Sequence, residues 1–529
     1  MRRAGRGFLH CGHKTGVTSA PCRGKTPART HPTAGRANTM RRILVALVAL
    51  TVPLTTMAEP QMTVDANDLV AHVTPLNGVN CGPYESHGAL EGQTLDDEYR
   101  EMGIPAVRTH DMYGACDFEQ IFPSSLHNWT DDPYDHSNYD FTTSDTAVEA
   151  IEDMGAEVMF RLGQSWNTDD PRNEHPPDFG VVAHVCKHIA MHYGADEGRV
   201  MMWEIWNEPD ISMFWDQHPN PGQAMRKFYT LYSICAKQMK SKFPDIMIGG
   251  PGMAGGTTTQ IMSDARRFAR ACRIKGAPLD FYSWHSYNRD AGGPYIFAEQ
   301  AIAVRKALDV EGFPNAVNVL GEWNACNARV EGWRRNLLWN MDGAAFNTAA
   351  LTYLHEHTDV KYAFRYRGDL HSGDEGYGLV DTSGAIKLPG LAFKAYSGLF
   401  PQWLTVMRPE MYRLGVDGGD LNGTTLMATT DEVRRCVNVL VSLYQTGGDG
   451  FSLTVENVPQ GWDLPRVDHY ILTSQQLYEE ICQAESYDNS QPFQLAWPGD
   501  GQKHSEVHFI RLYDATQFPV SVTPAPMVP

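Results

Sequence analysis

The chain alternates short apolar runs with longer amphipathic stretches between residues 76 and 400, and this alternation constrains the fold more than any other feature. Because strands that alternate with helices form parallel sheets, eight such pairs predict an α/β fold with a (β/α)8 TIM barrel over residues 76–400. The predicted strands centre on residues 78–80, 106–109, 157–161, 201–203, 246–249, 280–283, 317–320 and 361–364. The predicted helices cover residues 94–102, 144–154, 181–192, 223–242, 262–273, 297–308 and 337–355.

An open, doubly wound sheet is the alternative, but it would carry a glycine-rich phosphate turn after its first strand, and residues 78–83 lack that spacing. From residue 401 the pattern changes to short strand-like runs punctuated by Gly, Asp, Asn and Pro. This pattern predicts an accessory β-sandwich over residues 401–529, with a loose Pro-rich tail at its end. Residues 59–75 contain one strand-like run, which we expect to join the sandwich.

The N-terminal residues 1–58 are predicted to be an upstream extension followed by a signal peptide. Residues 40–58 have a basic start, an apolar run from Ile43 to Leu50 and a small-residue end, which is the pattern of a secretory signal. The run is too short for a transmembrane helix, although a membrane anchor is the alternative. We therefore expect a secreted or periplasmic protein with no transmembrane span, and Met40 is the alternative to Met1 as the true start.

Charge and cysteine content narrow the possible partners. Residues 1–58 hold ten Lys or Arg and no Asp or Glu, so the remainder carries 34 basic and 63 acidic side chains, a formal net charge of −29. Such an acidic protein is a poor ligand for nucleic acid or an anionic membrane. The cysteines include no CxxC pair, which argues against a structural zinc site. We expect either a Cys81–Cys116 disulfide or buried thiols.

Two of the predicted barrel strands end in a glutamate. Residues 200–205 lead through Trp206 and Asn207 to Glu208, and Pro209 then stops strand pairing because it has no N–H group. Residues 316–321 lead in the same way to Glu322. Barrel active sites lie at the carboxyl ends of the strands, and a pair of carboxylates is what glycoside hydrolysis requires. A capping carboxylate in a tight turn is the alternative reading of either residue.

Other predicted strands end in polar groups that would reach the same mouth. Those residues are Arg108, His110, Asp111, Arg161, His285, Tyr287, Arg365, Tyr366 and Arg367. An Arg and a Tyr hydroxyl would lower the pKa of a nucleophilic Glu, whereas the drier setting of Trp203 and Trp206 would raise that of Glu208.

Each of these residues has a plainer alternative. His110 and His285 are often structural, and Glu204 could be a buried, paired charge. His110, Asp111, Glu208 and His285 could also form a metal site, but no HExxH-like spacing supports it. We therefore predict no metal and no other cofactor.

Several segments together resemble glycoside hydrolase family 39, which contains β-xylosidases and α-L-iduronidases. Residues 204–210, followed by Phe214 and Trp215, resemble its acid/base segment, and residues 321–324 resemble its nucleophile segment. Residues 280–287 resemble its sixth-strand segment and residues 108–110 the Arg-x-His of its second strand. The resemblance covers roughly residues 76–400. Trp323 and the Trp-lacking end of the eighth strand, residues 364–367, depart from the family pattern.

The resemblance implies a retaining glycosidase that acts on a carbohydrate, with Glu208 as acid/base and Glu322 as nucleophile. It also implies that Asn207 binds the sugar 2-hydroxyl. The other candidate substrate-binding residues are His110, His285, Tyr287, Trp323 and Arg108. Retention predicts that the two carboxyl groups lie about 5–5.5 Å apart. β-Xylosidase-like action is the first expectation; α-L-arabinosidase-like or α-L-iduronidase-like action, a non-catalytic carbohydrate-binding barrel and a structural surface protein are the alternatives.

Overall fold

The computed structural model describes residues 60–514 apart from short gaps at 69–70, 73, 86–87, 113, 166–173, 289–292, 328–330, 372, 400–403, 408–410, 415–421, 465, 475–478 and 485–490. All described residues belong to the second of the chain's two compact units, Met57–Pro529. The predicted signal peptide and the Pro-rich tail lie outside the described residues, so neither prediction is tested.

Eight parallel strands close into a barrel, which confirms the predicted TIM-barrel fold. Each strand pairs with its sequence neighbours, and the eighth pairs with the first to close the ring. The strands are Val79–Asn80, Ala106–Arg108, Glu157–Leu162, Val200–Ile205, Ile248–Met253, Phe281–Ser286, Val317–Trp323 and Val360–Arg365. All eight overlap the predicted runs, because buried parallel strands are nearly continuous apolar segments.

Helices surround the barrel at Asp96–Met102, Phe118–Ile121, Thr142–Asp153, Phe179–His192, Pro221–Lys242, Thr258–Lys275, Ile296–Val310, Met341–His357 and Leu388–Ser397. Their boundaries follow local sequence signals. Asn220 caps the helix that begins at Pro221 by accepting hydrogen bonds from the next two available backbone N–H groups. Gly276 ends another helix with a left-handed conformation. The helices Phe118–Ile121 and Leu388–Ser397 have no counterpart among the predicted helices.

The inside of the barrel is layered, and the layers explain why charged residues lie beneath the mouth. Ala106, Met159, Met202, Phe281 and Val319 form an apolar layer with Phe364. Side chains on a strand point to the same face every second residue. Two positions further along their strands, Arg108, Glu204 and Ser283 therefore share the interior face, and all are fully buried.

Two antiparallel-rich sheets follow the barrel and pack on a shared apolar core, as predicted for a sandwich. The larger sheet contains Ala71–His72, Leu404–Met407, Met411–Leu414, Asn422–Asp431, Cys436–Tyr444, Arg466–Leu472, Glu479–Ala484 and Glu506–Tyr513. The smaller sheet contains Gln61–Asp65, Gly450–Glu456 and Phe493–Pro498. Its first strand precedes the barrel in sequence and pairs in parallel with Gly450–Glu456.

The accessory sheets are tied to the barrel by side-chain to backbone hydrogen bonds. Ser442 Oγ donates to the carbonyl of Ala345, at 2.7 Å, and Arg511 Nη2 donates to the carbonyl of Gly398, at 3.0 Å. Ser442 and Arg511 are buried, so water does not compete for these bonds.

The expected Cys81–Cys116 disulfide is wrong, since both residues are buried free thiols. The Cys81 thiol instead donates to the carbonyl of His110, at 2.8 Å. Among the described helices, none is both long enough and apolar enough to span a membrane.

Candidate active site

Glu208 stands at the end of the fourth barrel strand on a backbone that turns sharply out of the sheet. Trp206 and Glu208 both have a positive φ, 78° and 42°, a conformation that non-glycine residues rarely adopt. The turn is held by the Trp206 indole, which donates to the carbonyl of Phe214 at 2.9 Å, and by the Glu208 N–H, which donates to the carbonyl of Gly252 at 2.9 Å. Strained backbone of this kind is concentrated at functional sites.

Glu322, at the end of the seventh strand, is held by three side chains. Arg108 Nη1 donates to its Oε1 at 2.8 Å, and His110 Nε2 lies 3.3 Å from the same oxygen. The Tyr287 hydroxyl donates to its Oε2 at 2.6 Å. Burial raises the pKa of Glu322, while His285, Arg108 and the Tyr287 hydrogen bond act in the opposite direction and Glu208 adds to the rise. The net direction is upward.

Arg108 is fully buried and joins four partners around the site. Its Nε donates to Glu204 Oε2 at 2.7 Å, and its Nη1 donates to Asn80 Oδ1 at 2.9 Å as well as to Glu322. Its Nη2 donates to Asn207 Oδ1 at 2.7 Å. A planar guanidinium with five fixed donors can orient several acceptors at once. Arg108 therefore fixes both Glu322 and the amide next to Glu208.

His285, from the sixth strand, lies between the two glutamates. Its Nδ1 is 2.8 Å from Glu208 Oε1 and 3.4 Å from Glu322 Oε2. Burial lowers the pKa of His285 to about 4, so the ring is neutral at physiological pH. A Cβ at Gly252 would lie 2.9 Å from the His285 Nε2 atom, and Gly252 also has a positive φ of 61°. Glycine is required there because any side chain would displace the imidazole.

The two carboxylates are close enough to act on one bond. One oxygen from each glutamate and one nitrogen of His285 lie within 4.8 Å of one another. By distance alone these three residues could also hold a metal ion. Two of them, Glu208 and His285, belong to the metal site that was weighed from the sequence. The Glu208 side chain is 13% exposed and that of Glu322 5% exposed, so Glu208 is the more accessible to water.

The structure brings seven of the eight predicted site residues together: Glu208, Glu322, Asn207, His110, His285, Tyr287 and Arg108. It does not bring Trp323 into the mouth. The Trp323 ring packs outside the strand against Phe297 and Phe393, and its indole donates to the carbonyl of Ala363 at 3.1 Å. A register irregularity between Leu320 and Glu322 shifts the alternation of this strand, so that Glu322 faces the mouth and the next residue, Trp323, points to the opposite face.

Two of the arginines that were expected at the mouth have structural partners. Arg161 pairs with the buried carboxylate of Asp117, and Arg365 donates through Nη1 to the carbonyls of Arg367 and Tyr377.

Two buried residues that sequence reasoning missed position Arg108 and its partner. Asn80 accepts from Arg108 and donates to the carbonyls of Gly321 and Phe364, at 3.0 and 3.3 Å. Ser283 donates to Glu204 Oε1 at 2.5 Å. The available signal was their position on the strands: Ser283 lies two residues beyond the inward-facing Phe281, and Asn80 is the last residue of the first barrel strand.

Part of the barrel matches a known protein family, and shorter stretches match characterised enzymes. Residues 92–333 match the profile described as Glycosyl hydrolases family 39. A β-xylosidase of Geobacillus stearothermophilus is 31% identical over 111 residues, which are 21% of this chain and 20% of that protein. A β-xylosidase of Caldicellulosiruptor saccharolyticus is 29% identical over 156 residues, 27% of this chain and 29% of that protein. The matches thus span less than a third of either curated relative.

Solved structures share the fold over most of the chain. A glucosidase from Croceicoccus marinus is 20% identical with a TM-score of 0.68, covering 86% of this chain and 99% of that one. A GH39 β-xylosidase from Caulobacter crescentus is 16% identical with a TM-score of 0.60, covering 86% of this chain and 100% of that one. At these identities the likeness establishes the fold.

Proposed function

We propose that this chain, which belongs to glycosyl hydrolases family 39, is a retaining glycosidase with Glu322 as nucleophile and Glu208 as acid/base. The observation that carries the proposal is the pair of carboxylates at the barrel mouth. Their nearest oxygens lie within 4.8 Å, whereas inverting enzymes keep the carboxyl groups about 6.5–9.5 Å apart to admit a water molecule.

In the first step, a carboxylate oxygen of Glu322 attacks the anomeric carbon as the bond to the leaving oxygen breaks. Glu208 gives its proton to that oxygen, so the aglycone leaves as an alcohol and a glycosyl ester remains on Glu322. Arg108 and Tyr287 hold Glu322 in place and favour its charged form. Asn207, fixed through Arg108, is in position to bind the sugar 2-hydroxyl.

In the second step, Glu208 takes a proton from water, and the resulting hydroxide attacks the anomeric carbon to release Glu322. Two inversions at that carbon give overall retention. His285 contacts both carboxylates and, as a neutral ring with a hydrogen on Nδ1, can donate a hydrogen bond to whichever one is charged. The greater exposure of Glu208 suits its contact with water.

β-Xylosides are the proposed substrates, because both curated relatives described above are β-xylosidases. A panel of 4-nitrophenyl glycosides, containing β-D-xyloside, α-L-arabinoside and α-L-iduronide, tests the sugar. Hydrolysis of the xyloside with the highest kcat/KM is expected. A higher value on another sugar would overturn the substrate, and no hydrolysis of any would favour a carbohydrate-binding barrel.

Azide rescue tests the two roles separately. With Glu322→Ala, azide should restore some activity and give a glycosyl azide of inverted configuration, because the anion attacks in place of the carboxylate. With Glu208→Ala, azide should give a product of retained configuration, because the nucleophile is intact. Exchanged outcomes would exchange the roles, and full activity in both variants would remove the proposed function.

We also propose that the protein is exported through residues 40–58, on the strength of their basic start and apolar run. N-terminal sequencing of protein from the extracellular or periplasmic fraction should begin close to residue 59. A chain retained in the cytoplasm with these residues intact would contradict export.

A further inference from the structure

Asp111 places a third carboxylate at the barrel mouth, beside the two proposed catalytic glutamates. Its Oδ2 accepts a hydrogen bond from the Tyr366 hydroxyl at 2.7 Å, and its Oδ1 lies 3.6 Å from His110 Nε2. The same His110 nitrogen is 3.3 Å from Glu322 Oε1. One imidazole therefore separates Asp111 from the proposed nucleophile.

The backbone at Asp111 is shaped to present this side chain. Asp111 has a φ of 53°, in the left-handed region that Asp, Asn and Gly tolerate and most residues avoid. Its N–H donates to Ser165 Oγ at 3.2 Å, and its side chain is 12% exposed. The carboxylate is thus held at the barrel mouth by a local conformation that costs free energy, which is a feature of functional sites.

The surroundings of Asp111 suit a sugar ring. Tyr287, Tyr366 and Tyr377 form a cluster with centroid separations of 5.2–6.1 Å, and Tyr287 contacts Glu322 directly. Aromatic faces pack against the C–H surfaces of sugars. An ionised carboxylate offers about four lone-pair sites, so Asp111 can accept from sugar hydroxyl groups while it also accepts from Tyr366.

We propose that Asp111, oriented by Tyr366, binds hydroxyl groups of the glycone and selects an uncharged sugar. The inference rests on the proposed function and adds a specificity-determining residue to that site. Hydrogen bonds to a charged acceptor are stronger than neutral ones. A sugar carrying its own carboxylate would be repelled by Asp111 in addition to the ionised Glu322.

Asp111→Gly tests binding without imposing backbone strain, because glycine accepts the positive φ. Its kcat/KM on 4-nitrophenyl β-D-xyloside should fall roughly 10- to 100-fold, the usual effect of losing hydrogen bonds to a charged group. Asp111→Asn keeps the shape and one acceptor oxygen, so its loss should be smaller. Asp97→Asn, whose side chain is 98% exposed, is the matched control and should behave as the unmodified enzyme.

Deoxy substrates separate direct binding from a structural role. The 3-deoxy and 4-deoxy xylosides remove one hydroxyl each, and at least one of them should be much poorer than the xyloside for the unmodified enzyme. For Asp111→Gly the same deletion should cost less than about threefold, because the partner is already gone. An equal penalty in both enzymes would overturn the inference and leave Asp111 a purely structural partner of Tyr366.

Inhibition by free sugars tests the selection by charge. The inhibition constant of D-glucuronate relative to D-xylose should fall in Asp111→Asn, since one repulsive charge has been removed. An unchanged ratio would contradict that part of the inference. If the unmodified enzyme hydrolyses no glycoside, the proposed function itself fails, which is distinguishable from an active enzyme insensitive to Asp111.

Discussion

Glu322 at the barrel mouth and Glu506 in the accessory sheets are both buried beside histidines, yet their pKa values move in opposite directions. Burial acts to raise both pKa values. At Glu322 burial prevails, with Glu208 adding to the rise. At Glu506 hydrogen bonds from His508, His504 and Trp497 outweigh burial, and the pKa is lowered.

The two neighbourhoods differ in what surrounds the carboxylate. Glu506 accepts from the Trp497 indole at 2.9 Å and lies 3.0 Å from ring nitrogens of both His504 and His508. His508 in turn contacts His469, at 2.9 Å. At the mouth, His285 is shared between two carboxylates, and the second of them, Glu208, raises the pKa of Glu322.

This difference separates a stabilising cluster from a reactive one. A lowered folded pKa means that ionised Glu506 contributes stability above its unfolded pKa, and this contribution is lost as the pH falls through the folded value. The raised pKa of Glu322 means the reverse: its ionisation costs stability as the pH rises. Functional sites commonly retain such a cost because activity depends on it.

Exchanging each carboxylate for its amide should give the largest contrast. Glu322→Gln should lower kcat by on the order of 10^4-fold, because the amide cannot attack the anomeric carbon. Glu506→Gln should leave kcat/KM on the xyloside unchanged. Steady-state kinetics on both variants check this, and comparable losses would show that the accessory sheets take part in turnover.

The loss of folding stability is expected at Glu506 and not at Glu322. Glu506→Gln should lower the free energy of unfolding by about 1–3 kcal/mol, since the amide cannot satisfy all of the donors that the carboxylate accepts. Urea unfolding followed by circular dichroism measures it, with Glu432→Gln as control, an exposed residue in the turn between two strands of the same sheet. Equal midpoints for both variants would mean that the Glu506 cluster does not stabilise the fold.

Removing one hydroxyl at the mouth should shift a pH profile. The Tyr287 hydrogen bond lowers the pKa of Glu322, so Tyr287→Phe should raise that pKa and move the acid limb of kcat/KM to higher pH. A shift of one pH unit would reduce activity about tenfold on that limb. Tyr362→Phe, on the eighth strand, is the control. A shift toward lower pH would contradict the proposed role of Glu322.

The smallest expected effect is a change in the pH dependence of stability. Burial lowers the pKa of His469 to about 3, so below about pH 6.5 the unfolded chain binds a proton that the folded protein does not. Stability should therefore fall as the pH drops from about 6.5 toward 3. His469→Gln should reduce that slope by at most about 1.4 kcal/mol per pH unit. Urea titrations at several pH values test it, with exposed His218→Gln as control.

Two features of the sequence predict much of the site: the apolar runs and the glutamates that end two of them. Apolar runs located all eight barrel strands, and the barrel rule then assigned Glu208 and Glu322 to one mouth although they are far apart in sequence. The prediction that Trp323 binds substrate was wrong because it considered the residue without its neighbour. Adjacent side chains on a strand point to opposite faces, so Trp323 and Glu322 cannot both face the mouth.

The sequence alone determined the class of fold and the positions of the two glutamates, because hydrophobic pattern and strand ends are local properties. Tertiary structure decided how Glu322 is charged and held. Arg108 comes from the second strand, whereas His285 and Tyr287 come from the sixth strand and its end, and only the folded barrel brings all three within hydrogen-bonding distance of Glu322 on the seventh strand. It also decided that Asp111 meets Tyr366, since that contact joins the second strand's end to the eighth's. Burial and long-range contacts set these properties, and neither is encoded in any single segment of the chain.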